Sequence, residues 1–199
     1  MTGKLTEMVF ILDRSGSMSG LESDTIGGFN SMIEKQKEEE GDAKVSTILF
    51  SNDVEILHDR VDLSDIKKLT SEEYYVTGST ALLDAVGGTI ERIKHLHASE
   101  MVNKPDSTLF VIITDGQENS SREFSYKKVK GLIEKQKKEG WDFLFLGANI
   151  DVAAEAEKMG IGRDNALAYD CDEEGIDRMY NVVGCKMSSA RIRGSFGRD

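Results

Sequence analysis

The chain has 199 residues, 39% of them hydrophobic, one proline, and a formal net charge of −11 at pH 7. This length is that of one ordinary domain, so we expect a single domain over residues 1–199. The negative charge argues against a function in binding nucleic acid or anionic membranes, because both kinds of binding need a positive electrostatic field on the protein. We therefore expect that the partner is neither a nucleic acid nor a membrane.

The beginning of the chain and its cysteines bear on its location. Residues 1–7 lack the apolar stretch of a signal segment, and no apolar run approaches the roughly 20 residues that a membrane span needs. Cys171 and Cys185 are the only cysteines, and no Cys-x-x-Cys motif accompanies them. We interpret them as two reduced thiols on or near a C-terminal helix, and predict a cytoplasmic protein.

Apolar runs alternate with segments of helical periodicity along the chain. Helices are predicted over residues 24–39, 81–97, 124–138, about 151–159 and 172–191, with a shorter one over 63–69. Strands are predicted over 9–13, 43–50, 54–61, 109–114, 141–146 and 166–169. The three residues 51–53 form a hairpin connection, so one edge strand is expected to run antiparallel. The alternation predicts an α/β fold, a doubly wound, mostly parallel sheet with helices on both faces.

The first predicted strand ends in a carboxylate followed by two hydroxyls, in the pattern Asp13-x-Ser15-x-Ser17. Open α/β sheets keep their sites at the carboxyl ends of the strands. A carboxylate and hydroxyls offer only hard oxygen atoms, and Gly16 lets the loop fold back so that these atoms converge. Such ligands suit Mg²⁺, Ca²⁺ or Mn²⁺.

Two further stretches supply oxygen atoms of the same class. Thr80 follows a glycine-containing loop and lies near the start of a predicted helix. Asp115 follows a second buried strand and precedes Gly116. Each of these residues alone is typical of a turn or of a helix cap. Their combination at the ends of converging elements predicts a metal site.

The three stretches together resemble the metal-ion-dependent adhesion site of the von Willebrand factor A domain family. The matching residues are Asp13, Ser15, Ser17, Thr80 and Asp115. The resemblance covers a core of about residues 5–170, before the C-terminal helix over 172–191 and a short basic tail, and is strongest to small stand-alone bacterial cytosolic members. It implies a Rossmann-like fold and an ion, expected to be Mg²⁺ with Mn²⁺ or Ca²⁺ as alternatives. It also implies that an Asp or Glu of a partner protein completes the coordination.

The resemblance implies a binding module rather than an enzyme. It points to an intracellular adaptor or regulator whose partner belongs to an AAA+ ATPase or a stress-response complex. The alternative is Mg²⁺-dependent phosphoryl chemistry, as in a phosphatase or a receiver domain. A receiver needs paired acids after its first strand, but Asp13 is followed by Arg14, and no phosphate-binding Gly-x-x-x-x-Gly-Lys-Ser/Thr loop is present.

Several residues outside this motif also carry expectations. His95 and His97 are expected to be exposed and not to bind metal, and the basic tail from Arg191 onward is expected to be solvated. Glu118 and Asn119 lie beside the predicted site, where either an ordinary polar loop or a role in partner specificity is consistent with the sequence.

Overall fold

The computed structural model describes residues 4–99 and 104–196, which form one six-stranded sheet. The strand order is β3-β2-β1-β4-β5-β6. Neighbouring strands are parallel except for the antiparallel β2–β3 hairpin at one edge. The strands are β1 (Leu5–Asp13), β2 (Asp42–Phe50), β3 (Val54–Asp62), β4 (Ser107–Thr114), β5 (Trp141–Gly147) and β6 (Ala166–Ala168). The predicted fold class is confirmed.

Helices cover both faces of the sheet. They are α1 (Glu22–Lys37), α2 (Leu82–Ser99), α3 (Tyr126–Lys138), α4 (Val152–Lys158) and α5 (Glu173–Arg193). Alternate residues of β1 divide between the two layers. Phe10 and Leu12 pack with α1 and α5, whereas Val9 and Ile11 pack with α2 and its neighbours. Burial on both faces explains why the central strands are continuous apolar runs. In the part of the chain that the structure describes, no helix has both the length and the apolar composition needed to cross a bilayer.

The short helix predicted over residues 63–69 is wrong beyond its first turn. A single 3-10 turn spans Leu63–Asp65, and the chain then becomes extended at Ile66. The side chain of Asn30 in α1 bonds the backbone of Leu69 on both sides, accepting from its N–H at 2.7 Å and donating to its carbonyl at 2.8 Å. These bonds take the place of helical ones, so a tertiary contact overrides the local pattern.

The C-terminal segment is packed rather than solvated at two positions. Helix α5 continues to Arg193, and the Arg191 guanidinium is buried, donating to the carbonyls of Gln36 at 2.6 Å and Gly41 at 2.7 Å. Phe196 is buried as well. The expectation of a solvated tail is therefore wrong at Arg191 and Phe196, while residues 197–199 lie outside the described part of the chain.

The expectation that His97 is exposed is also wrong. His97 is buried, and its Nε2 lies 2.6 Å from Oε2 of Glu7, a fully buried carboxylate in β1. The same carboxylate accepts from Nε of Arg60 at 3.0 and 3.1 Å. The edge of the Trp141 ring packs against the imidazole. His97 therefore helps to satisfy a buried charge at the end of the sheet opposite to the predicted metal site, whereas His95 is exposed.

Candidate metal centre

The predicted site lies at the carboxyl edge of the sheet, between two adjacent parallel strands. β1 ends at Asp13, β4 ends at Thr114, and the register pairs Leu12 with Ile113. The chain runs from β1 to β2 on one side and from β4 to β5 on the other, so the direction of the connections reverses between β1 and β4. Such a switch point opens a crevice in which doubly wound proteins bind ligands.

The structure brings all five predicted residues together in a chain of oxygen atoms. Oγ1 of Thr80 lies 3.0 Å from Oγ of Ser15, which lies 3.2 Å from Oγ of Ser17. The Ser17 hydroxyl donates to Oδ1 of Asp115 at 2.5 Å. Asp13 lies beneath this chain, where its Oδ1 accepts from the backbone N–H of Ser15 at 2.7 Å.

Both carboxylates of the cluster are buried without a basic partner. Asp13 and Asp115 are each 1% exposed, and among the described residues no Lys, Arg or His forms an ion pair with either one. Burial raises the pKa of both carboxyl groups, although hydrogen bonds from Ser15 and Thr114 to Asp13, and from Ser17 to Asp115, oppose that rise. A buried carboxylate is costly unless a cation or hydrogen bonds compensate it. The cluster therefore favours a bound cation.

The spacing of the hydroxyls fits a bound divalent ion. Ligands bound at about 2.1 Å from Mg²⁺ and at right angles to one another lie about 3.0 Å apart, whereas the longer bonds to Ca²⁺ give about 3.4 Å. The Thr80–Ser15 separation of 3.0 Å equals the first value and the Ser15–Ser17 separation of 3.2 Å lies midway between the two, so the spacing is compatible with either ion.

Gly116 keeps the space above the hydroxyls open. A Cβ at this position would lie 3.2 Å from both Ser17 Oγ and Thr80 Oγ1. The region described contains no group of three His, Cys, Asp or Glu residues placed to hold a metal. An ion at this centre would therefore be bound largely by hydroxyl oxygens.

The loops that carry the hydroxyls are fixed to one another by backbone contacts. The N–H of Gly16 donates to the carbonyl of Gly78 at 3.0 Å, and that of Thr77 donates to the carbonyl of Arg14 at 2.9 Å. Gly78 has φ +70°, and a Cβ there would lie 1.8 Å from Oδ1 of Asn52, so only glycine fits. This arrangement sets Thr80 against Ser15 before any ion binds.

Glu118 and Asn119 hold the third loop onto the start of α2. The Glu118 carboxylate accepts from the N–H groups of Leu83 and Ser121, at 2.9 and 2.8 Å, and Oδ1 of Asn119 accepts from the N–H of Thr80 at 2.9 Å. Glu118 is half-buried and Asn119 is exposed, but both side chains are hydrogen-bonded to the backbone. Asn119 therefore positions Thr80 directly, and Glu118 positions the first turn of α2 that follows it.

Two contacts of the site were not predicted from the sequence. The hydroxyl of Tyr74, whose side chain is fully buried, donates to the carbonyl of Asp13 at 2.6 Å and anchors the end of β1. The thiol of Cys171 lies 3.7 Å from Oδ2 of Asp115. Both cysteines are free thiols in the structure. No local pattern distinguishes Tyr74 or Cys171, because each reaches the site across a long sequence separation.

Comparison with solved structures finds the same fold at low sequence identity. Proximal thread matrix protein 1 from the mussel byssus, with a zinc-occupied MIDAS motif, has a TM-score of 0.67 and 15% identity, over 94% of this chain and 46% of that one. The PilB minor pilin from Streptococcus sanguinis has a TM-score of 0.69 and 12% identity, over 94% and 62%. The pilus adhesin SpaC from Lactobacillus rhamnosus GG has a TM-score of 0.70 and 11% identity, over 94% and 30%. The chain thus spans less than two thirds of each of these proteins.

Sequence comparison identifies the family. The curated proteins compared with the chain include no match. The sequence profile of the von Willebrand factor type A domain matches residues 7–180, which include all five residues of the oxygen cluster. The chain therefore belongs to the von Willebrand factor type A domain family.

Proposed function

We propose that the protein is a metal-dependent protein-binding module without catalytic activity. In this proposal Asp13, Ser15, Ser17, Thr80 and Asp115 hold a divalent cation, and the partner supplies an Asp or Glu that completes its coordination. The observation that carries the proposal is the convergence of three hydroxyls, with neighbouring ones 3.0 and 3.2 Å apart, over two buried carboxylates that have no basic partner among residues 4–99 and 104–196.

The donor set accounts for binding to an acidic side chain. Hydroxyl oxygens neutralise little of the charge of a divalent ion, so the ion remains electrophilic toward a further carboxylate. Ser17 is exposed, and Gly116 places no side chain over the hydroxyls, so a carboxylate can approach from solvent. We propose Mg²⁺ as the ion, with Mn²⁺ as a close substitute and Ca²⁺ as a larger one, because all three prefer oxygen ligands.

We place the module in the cytoplasm, as an adaptor or regulator of an AAA+ ATPase or of a stress-response complex. This part of the proposal is supported by the resemblance of the chain to small stand-alone bacterial members of the family. The matched solved structures are a byssus matrix protein with a zinc-occupied MIDAS motif, a minor pilin and a pilus adhesin, which supports a metal-dependent binding role.

The proposal is tested by affinity capture from a lysate of the source organism, with bound proteins identified by mass spectrometry. Wild-type protein is compared in Mg²⁺ and in EDTA, with Asp13→Ala and with Ser19→Ala, which alters an exposed serine of the same loop outside the cluster. We expect a partner that is retained only by the wild type and Ser19→Ala, and only in Mg²⁺. A partner retained equally by Asp13→Ala or in EDTA would contradict the proposal.

A further inference from the structure

The edge strand β3 carries an exposed apolar surface at the end near the metal centre. Val54 is 44% exposed and Ile56 42%, and both lie on one face of β3 because side chains alternate along a strand. Tyr75, in the segment after β3, is 49% exposed and stacks with Arg14 on the side of Glu55. The other large hydrophobic residues exposed in the described chain, Val182 and Ile192, lie on α5. A grouping of apolar side chains at one edge marks an interaction surface more often than scattered ones do.

The strand register places this surface close to the metal centre. Asp13 pairs with Phe50, and Phe50 pairs with Val54, so the three residues form one row across β1, β2 and β3. Neighbouring strands lie about 4.8 Å apart, which puts Val54 about 10 Å from Asp13 along the row. An interface of ordinary size covers both places.

Arg14 connects the metal loop to this edge. Its guanidinium lies over the ring of Tyr75, 4.7 Å from the centroid, and pairs with Glu55 at 2.8 Å. Its backbone lies between Asp13 and Ser15. Arg14 therefore ties the metal loop to β3 on the face of Glu55, whereas Val54 and Ile56 lie on the other face, where Val54 belongs to the row that ends at Asp13.

The edge of β3 is open near the metal centre and protected at its far end. Among the described strands, β3 pairs with β2 alone, so its outer backbone groups are free to pair with another strand. The far end has an irregular register, a positive φ at Arg60 and an exposed Arg92–Asp59 ion pair, which are features that discourage edge pairing. The register is regular from Val54 to Ile56 and becomes irregular at Leu57, and Glu55 is the one charged residue within the regular part.

The charge of this edge selects the kind of partner. Asp53 and Glu55 are exposed at this end of the edge, where Arg14 pairs with Glu55 but not with Asp53, and the whole chain has a net charge of −11. A second copy of the chain would bring an equally acidic edge against this one, and like charges on paired strands are destabilising. Basic side chains match it and are also attracted over long range.

We propose that the edge of β3 is the second half of the partner interface. An extended segment of the partner adds as a strand beside residues 54–56, with apolar side chains packing on Val54 and Ile56 and basic side chains alternating with them on the other face, near Asp53 and Glu55. The segment belongs to the protein whose carboxylate reaches the metal ion, so the inference rests on the proposed function. Backbone pairing supplies affinity in this mode, and the alternate side chains supply specificity.

The test uses peptides selected from a random displayed library on the wild-type protein in Mg²⁺, then synthesised. We expect the double variant Val54→Lys/Ile56→Lys to bind them at least tenfold more weakly than the wild type. The matched control is Val182→Lys, because Val182 is also 44% exposed but lies on α5. We expect this variant to bind the peptides with an affinity within twofold of that of the wild type. Bound peptide should also slow amide hydrogen exchange at residues 54–58.

Each outcome bears on one proposal or the other. Peptides that need Mg²⁺ but bind the double variant as tightly as the wild type would overturn the proposed role of β3 and leave the metal-dependent function standing. Peptides that protect only the metal loops from exchange, or a library that yields no binder to the wild type, would overturn the role of β3 too. Peptides that bind equally in EDTA and to Asp13→Ala would instead contradict the metal-dependent function.

Discussion

Replacing Asp13 by Asn separates the cost of a buried charge from its use in metal binding. The Asp13 carboxylate is 1% exposed and accepts from the Ser15 N–H at 2.7 Å and from the Thr114 hydroxyl at 2.6 Å. An amide keeps an acceptor for Ser15 and can donate to Thr114 in place of accepting from it. The variant removes the negative charge while retaining the shape, so its fold should be preserved.

The two effects have opposite signs. Burial raises the pKa of Asp13, so the ionised group disfavours folding in the absence of an ion, and Asp13→Asn should unfold in EDTA at the wild-type temperature or above it. With Mg²⁺ at a hundred times its dissociation constant, binding stabilises the wild type by about 2.7 kcal/mol. For a domain of this size that corresponds to a rise of roughly 5–11 °C in unfolding temperature, which Asp13→Asn should lack.

Thermal unfolding followed by circular dichroism measures both effects. Wild type and Asp13→Asn are scanned in EDTA and over a series of Mg²⁺ concentrations, with Ser19→Ala as the control that should retain the Mg²⁺ response. A lower unfolding temperature for Asp13→Asn in EDTA would show that the carboxylate is structural. An undiminished Mg²⁺ response in the variant would refute its role as part of the metal centre.

Three further predictions concern the open space, the pH dependence and the buried C-terminal arginine. Gly116→Ala should weaken Mg²⁺ binding about tenfold, measured by calorimetry, because its Cβ crowds two hydroxyls, whereas Gly131→Ala, which meets nothing within 4 Å, should not. Burial raises the pKa of Asp13 and Asp115 in the folded protein, so the folded state takes up protons before the unfolded state does as the pH falls. In EDTA the free energy of unfolding should therefore increase as the pH falls through the raised pKa values, and this gain should reach its full size below the unfolded pKa of about 3.9. The Mg²⁺-induced rise in unfolding temperature should shrink over the same range because protons compete with the ion, and a rise that is constant with pH would contradict this. Arg191→Met should lower the free energy of unfolding in urea by about 1–3 kcal/mol, because it leaves the carbonyls that Arg191 bonds without their donor, and an unchanged midpoint would contradict this.

The sequence predicted that these five residues lie close together, because they occupy element boundaries that the pattern of apolar runs reveals. Asp13 and Asp115 follow buried strands, and parallel strands end at one edge of the sheet, so their proximity follows from topology. Thr80 was located by the glycine loop before α2. The structure adds the distances and the side-chain contacts, and the metal ligation of these residues is still a prediction.

The parts that the sequence did not predict depend on contacts between distant residues. His97 has the spacing of an exposed position, but Glu7, 90 residues earlier, lies buried beside it. In the sequence Arg191 belongs to a basic tail, but in the structure it bonds the carbonyls of Gln36 in α1 and Gly41 just after it, some 150 residues away. Neither partner leaves a local signal, because a backbone carbonyl has the same form in every residue and a single Glu in a strand is usually exposed.

The measurement that tests the account most directly is the binding of Mn²⁺ followed by electron paramagnetic resonance. Titration of the wild type should remove one free Mn²⁺ per chain from the spectrum, and excess Mg²⁺ should release it. Asp13→Ala and Thr80→Ala, with folds verified by circular dichroism, should leave all Mn²⁺ free. A wild type that binds no Mn²⁺, or variants that bind as much as the wild type, would contradict a metal centre formed by these residues.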